Sequence, residues 1–381
     1  MIYLDNAATT FPKPRRVYDA VMYAMVDYGA NPGRSGHKLA LQAGRKIYET
    51  RETLAKLFNI DNPMNIVFTC NATESLNLGI NGLLNSGDHV ITSSMEHNSV
   101  LRPLNGLKNL GIETSIIQCD KEGNIDVSKI ERAIKENTKA IVMTHASNVT
   151  GTIFPIKDIG KIAKKHNIIY MVDSAQTAGV YDLDVKDMNI DLLAFPGHKG
   201  LLGPQGTGGL YIREGIDLAE MKKGGTGSKS NEIEQPKILP DRYESGTSNT
   251  PGIAGLNDGV NYIVEKGMEN IRRHEENLTK RFISGLESIK EITIYGPSDL
   301  EKRASVISMN IKDFDSSEVS YILDSSFDIA TRSGLHCAPL AHKTLGTMNI
   351  GTVRFSIGPF NTEEDIDQAI NAVYLISKNR Y

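Results

Sequence analysis

Seven short apolar runs separated by amphipathic segments constrain this chain more than anything else in it. They cover residues 65–69, 89–93, 114–118, 140–144, 168–172, 191–195 and 208–212. They are rich in Ile and Val, as strands buried on both faces are. Between them, residues 155–166 place Ile156, Ile159 and Ala163 at helical spacing, with Pro155 at the helix start. Upstream, residues 39–58 put Ile47, Leu54, Leu57 and Phe58 on one helical face. Alternating β and α predicts an α/β fold, a mostly parallel seven-stranded sheet with helices on both sides. Ligands of such sheets sit at the carboxyl ends of the strands. Residues 69–73, 94–97, 145–148, 173–176 and 198–199 fall just past those ends and are expected to converge on one pocket.

Past Thr250-Pro251 the pattern changes. Residues 252–286 read as helical, and 291–295, 304–311 and 352–357 as strands. This predicts a large domain over 15–250 and a smaller α+β domain over 251–381, joined by the segment 1–14. The glycine-rich, polar stretch 222–230 is expected to be a mobile surface loop.

Composition narrows the function classes. At 381 residues the chain can bury two cores. A net charge of −4 without a long basic run argues against nucleic acid as partner. No apolar stretch approaches the roughly 20 residues a membrane span needs, and Met1–Asn6 carries no signal-peptide pattern. Cys70, Cys119 and Cys337 form neither a disulfide framework nor a metal pattern, and the histidines lack ligand spacing. A reducing cytoplasm and no metal are the expectations.

The chemistry begins with Asp173, at the end of one apolar run, and Lys199, 26 residues later in Gly197-His198-Lys199 at the end of the next. The pair suits pyridoxal phosphate: the amine can couple to the cofactor aldehyde, and the carboxylate can keep the pyridine nitrogen protonated. Asn71-Ala72-Thr73 precedes a predicted helix over about 73–84, whose N-terminal N–H groups suit a phosphate. Arg354 can clamp a substrate carboxylate through a bidentate guanidinium, and a structural salt bridge is the bland alternative. Cys337 is a candidate nucleophilic thiol, with Arg332 and His336 as neighbouring cations. Its bland alternative is a small buried apolar residue, the role read for Cys70 and Cys119.

Taken together, these residues resemble the fold-type I pyridoxal-phosphate enzymes of aminotransferase class V, and within them the cysteine desulfurases. The resemblance spans nearly the whole chain. It runs from Tyr3-Leu4-Asp5-Asn6-Ala7-Ala8-Thr9-Thr10 through Asn71-Ala72-Thr73-Glu74, Met95-Glu96-His97 and Ser147-Asn148-Val149-Thr150-Gly151-Thr152. It continues through Val172-Asp173-Ser174-Ala175-Gln176, Gly197-His198-Lys199 and Tyr243-Glu244-Ser245-Gly246-Thr247 to Arg332-Ser333-Gly334-Leu335-His336-Cys337-Ala338 and Val353-Arg354-Phe355-Ser356. The cysteine motif looks like the second subgroup of desulfurases, which often need a sulfur-acceptor partner.

The resemblance implies roles. His97 would stack on the cofactor ring and aid proton transfer, and Gln176 would bond its phenolate oxygen. Ala72, Thr73, His198 and Thr247 would hold the phosphate, with Thr247 reaching across a homodimer. Ala72 and Pro196 stand where relatives often carry hydroxyl residues, so the cradle leans on backbone, Thr73, His198 and Thr247. Asn148, Arg354 and, with a lesser case, Arg332 would bind substrate. The implied activity is conversion of L-cysteine to L-alanine, with a persulfide on Cys337 passed to an acceptor protein or thiol. A selenocysteine lyase acting on L-selenocysteine would use the same residues. Another class V reaction would not need Cys337, and a non-catalytic cofactor-binding protein would not need the full set.

Overall fold

The computed structural model describes residues 1–33 and 36–379. In chain order it runs β1 (Ile2–Tyr3), α1 (Arg15–Asp27), α2 (Lys38–Leu57), β2 (Ile66–Thr69), α3 (Ala72–Leu83), β3 (His89–Ser93), α4 (Asn98–Leu107), β4 (Glu113–Ile117), α5 (Val127–Arg132) and β5 (Thr138–Thr144). It continues through α6 (Ile156–Lys165), β6 (Ile169–Asp173), β7 (Leu192–Pro196), β8 (Gly208–Ile212) and α7 (Thr250–Lys266). The remainder is α8 (Met268–Glu287), β9 (Ile292–Tyr295), β10 (Val306–Ile311), α9 (Ser316–Phe327), β11 (Ile329–Ala330), β12 (Arg332–Gly334), α10 (Pro339–Leu345), β13 (Thr352–Ser356) and α11 (Glu363–Ser377).

The seven apolar runs build one seven-stranded sheet in the order β2-β8-β7-β6-β5-β3-β4. Only β8 runs against its neighbours. The reason lies in the pleat. Along β5, Ala140 and Val142 face one core while Ile141 and Met143 face the other. Leu192 and Ala194 of β7 alternate with Leu193 and Phe195 in the same way. Both faces are dry, so the strands read as continuous apolar runs rather than alternating ones. Helices α2, α6 and α7 cover one face, and α3 and α4 the other. Helix α6 starts after Pro155 and buries Ile156, Ile159 and Ala163, as its spacing predicts.

A second, antiparallel sheet has the order β12-β13-β10-β9. Helices α8, α9 and α11 pack on it around Phe282, Leu323 and Phe355. Leu4 belongs to this core, and β1 pairs with β11. The helical stretch after residue 250 is two helices, because Gly267 adopts a φ of +80° between them. The change of core also falls there: Leu256, Val260 and Ile263 of α7 still pack with the large sheet, whereas Leu278 and Phe282 of α8 pack with the small one. Residues 222–230 carry no helix or strand. Among the described residues no helix is long and apolar enough to cross a membrane.

Phe195 is fully buried and stacks against Phe58, with ring centroids 5.2 Å apart. Phe195→Ala should therefore cost about 3–5 kcal/mol of stability, read as a lower denaturation midpoint in urea.

Candidate active site

The strand ends do converge. Asn71, Ala72, Thr73, His97, Asn148, Asp173, Gln176, His198 and Lys199 line one cavity, which Pro196 also lines. Register explains part of this: Asp173 stands beside Thr144 on one side and Ala194 on the other. The turn after each strand therefore opens onto the same floor.

Asp173 is 3 % exposed. Its Oδ1 accepts the Ala175 N–H at 2.9 Å. Burial raises its pKa, against the pull of that N–H and of Lys199. Lys199 is shifted the other way. Loss of solvation lowers its amine to about 8, Asp173 opposes the shift, and Arg354 and Arg332 add to it. Among the described residues no hydrogen bond holds the Lys199 amine. His97 and His198 are each lowered to about 4, first by burial and then by Lys199, so both rings are neutral at pH 7. Among the described residues the Nδ1 of His198 has no partner.

The first turns of α3 and α4 are tied together. Asn71 caps α3 by accepting the Glu74 N–H at 2.9 Å. His97 caps α4 through Nδ1, which accepts the Ser99 N–H at 3.0 Å. Ser99 Oγ in turn meets Thr73 Oγ1 at 2.8 Å. Gly208 lets this corner close, because a Cβ there would meet the Asn71 backbone at 2.8 Å.

Arg354 is 1 % exposed and already engaged. Nη2 pairs with Asp5 Oδ1 at 2.7 Å, and Nη1 donates to the Asn148 carbonyl at 3.1 Å. The salt-bridge alternative is thus present, while Nε has no partner among the described residues. Asn148 Nδ2 donates to the His336 carbonyl at 2.7 Å. Arg332, on β12, puts Nη2 3.8 Å from the Cys337 sulfur.

Cys337 is exposed. It and His336 both hold left-handed backbone, at φ +58° and +47°. His336 is not the cation that its place in the sequence promises. It is buried, its Nε2 lies 3.0 Å from Thr352 Oγ1, and burial beside Arg354 pushes its pKa far down. Cys119 is buried as expected, but Cys70 is exposed. Strand β2 ends at Thr69, which leaves Cys70 in the turn before α3. Thr247 lies outside the Lys199 cavity; it is exposed, and the Asn31 amide is 3.5 Å from its hydroxyl. Among the described residues no three His, Cys, Asp or Glu side chains are grouped to hold a metal.

A family model described as aminotransferase class-V matches residues 2–369. The chain belongs to that family. Among its class-V relatives, a probable cysteine desulfurase from Methanothermobacter thermautotrophicus is 37 % identical over 96 % of this chain and 92 % of its own length. Another, from Pyrococcus abyssi, is 37 % identical over 100 % of this chain and 95 % of its own. The solved apo structure of a cysteine desulfurase from Thermococcus onnurineus NA1 superposes with a TM-score of 0.93 at 37 % identity, covering 99 % of this chain and 95 % of that one.

Class-V motifs pointed to most of the cavity, but not to Ser99 or to the role of Asp5. Asp5 sits in the quoted N-terminal motif, and only the fold brings it to Arg354. Removing its charge leaves a buried guanidinium uncompensated. Asp5→Asn should lower stability by about 3 kcal/mol, measurable by urea denaturation.

Proposed function

We propose that this protein is a pyridoxal-phosphate-dependent L-cysteine desulfurase that yields L-alanine and carries sulfur on Cys337 to an acceptor. The observation that carries this reading is the meeting of Asp173 and Lys199 in one cavity, with Arg332 beside Cys337 at 3.8 Å. The cavity fits the cofactor on its own terms. The buried Asp173 carboxyl lies near a desolvated amine, a capped helix N-terminus faces the same space, and the Nδ1 of His198, without a partner among the described residues, lies buried in its wall. Ala72 and Pro196 both line it without a hydroxyl to offer. Asn71–Thr73 backbone and His198 would hold the phosphate, and Asp173 the ring nitrogen. Bound there, pyridoxal phosphate supplies an electron sink for charge developing at the substrate α-carbon.

The chain's own groups do the rest. Arg354 and Asn148 orient the substrate carboxylate. Lys199, neutral above about pH 8, takes and returns the α-proton. His97, neutral and capping α4 through Nδ1, would cover the ring face. The Cys337 thiolate attacks the substrate sulfur: an S–S bond forms, the Cβ–S bond breaks, and its electron pair goes to carbon, which takes a proton to become alanine. Arg332 offers a positive charge to the thiolate.

We also infer a homodimer in the cytoplasm, with Thr247 of the partner subunit completing the phosphate cradle. Supporting it, Thr247 is not in its own chain's cavity, and α1 and α2 expose Met22, Met25, Val26 and Leu41.

Cys337→Ala should make alanine from L-cysteine at least about a hundredfold more slowly than wild type, by amino-acid analysis. A mutant that matches wild type, or turnover of L-selenocysteine alone, rejects the desulfurase reading. Uptake of pyridoxal phosphate by the apo-protein should quicken about tenfold per pH unit up to pH 8 and level off above, because only the neutral Lys199 amine attacks.

A further inference from the structure

Glu96 lies between β3 and His97, and the proposed function leaves it without a task. Its side chain is fully buried, at 0 % exposure. Oε1 accepts the Ser93 hydroxyl at 2.5 Å and the Thr144 N–H at 3.1 Å. The side chain therefore ties the end of β3, which leads to His97, to the end of β5. Thr144 stands in register with Asp173, and the next residue, His145, donates its N–H to the Asp173 carbonyl at 2.8 Å. Among the described residues, Oε2 of Glu96 has no partner, nor does the buried Tyr170 hydroxyl of β6.

The charged and titratable groups that face Glu96 are the Asp173 carboxyl and Tyr170 phenol of β6 and the Cys119 thiol beyond β4. None is a cation. Lys199 faces Asp173 instead. Two carboxylates in one dry floor, with a single counter-charge between them, do not both ionise.

Resting on the cofactor reading above, we propose that Glu96 is a positioning residue that works as a neutral acid: it locks the strand ends that carry His97 and Asp173, and by keeping its proton it leaves Asp173 the only anion under the cavity. Burial, helped by Asp173, raises its pKa from 4.5 to about 8. An acid raised in the folded state contributes its full stability below pH 4.5 and loses it as pH climbs to about 8.

Glu96→Gln keeps the Oε1 acceptor and cannot ionise; Glu96→Leu cannot ionise either but loses the acceptor. The test is thermal melting of holoenzyme and apo-protein from pH 5 to 9, with pyridoxal phosphate binding followed by its absorbance band. The melting temperature of Glu96→Gln, relative to wild type, should rise between pH 5 and 8 and then stay constant. Glu96→Gln should keep wild-type cofactor affinity within about twofold, whereas Glu96→Leu should lose about tenfold or more as the tie is cut. A melting difference that does not vary with pH overturns the proposal, as does a Glu96→Gln protein that loses cofactor as Glu96→Leu does. Neither readout needs turnover. A wild type that binds no pyridoxal phosphate rejects the site reading itself, while the melting difference still decides whether Glu96 holds a proton.

Discussion

Burying one amine opposite one carboxylate governs the rest of this site. Desolvation lowers Lys199 to about 8 and raises Asp173, and each holds part of the other's shift back. The pair can exist only because β6 and β7 are neighbours, so that their ends open onto one floor. The surrounding imidazoles adapt to the same dryness. His97, His145 and His198 are each held near 4, and they act at neutral pH as hydrogen-bonding groups rather than as charges. The cations left around the cavity are guanidinium groups and the lysine, a disposition suited to anionic ligands.

The first thirteen residues fasten the two cores together around that floor. Asp5 pairs with Arg354, and the Ala7 N–H donates to Ser356 Oγ at 2.8 Å. The Thr10 N–H, the Thr9 hydroxyl and the Lys13 amine all donate to the carbonyl of His198, the peptide that leads into Lys199. Burial lowers the Lys13 amine to about 7, so near neutral pH this strap carries only part of a positive charge. Geometry at Lys199 and Arg354 is thereby set by one segment, anchored in the small core through Leu4 and reaching the end of β7 through Thr9, Thr10 and Lys13.

How much of this was legible in the sequence follows from how local each cause is. The seven strands were, because a strand dry on both faces writes its burial into consecutive residues such as 192–195. Helix α6 was, through Ile156, Ile159 and Ala163. Helix α1 was not: it buries Val17 and Ala24 but exposes Met22, Tyr23 and Met25, which blurs its apolar face. Strands β1, β11 and β12 are two or three residues long, too short for a period to register. The cavity's wall was visible as motifs past strand ends. What holds the wall was not: Asp5 and Arg354 lie 349 residues apart. His336 shows the converse error, where closeness to Cys337 in sequence promised a charge that burial removes.

The Cys337 loop combines fixed backbone with a free side chain. Two successive non-glycine residues in left-handed conformation cost on the order of 1–3 kcal/mol each, and such a cost persists only where neighbours impose it. The neighbours here are specific. The Asn98 N–H donates to the Cys337 carbonyl at 2.7 Å, Asn148 Nδ2 holds the His336 carbonyl, and Thr352 holds the His336 ring. Asn98 follows His97 and Asn148 lines the Lys199 cavity, so the residues that shape the cavity also fix the path of the loop. The thiol thus keeps its position relative to Lys199 while its sulfur stays open to solvent. A sulfur relay needs both properties at once: a nucleophile held to one place for the first transfer and exposed for the second.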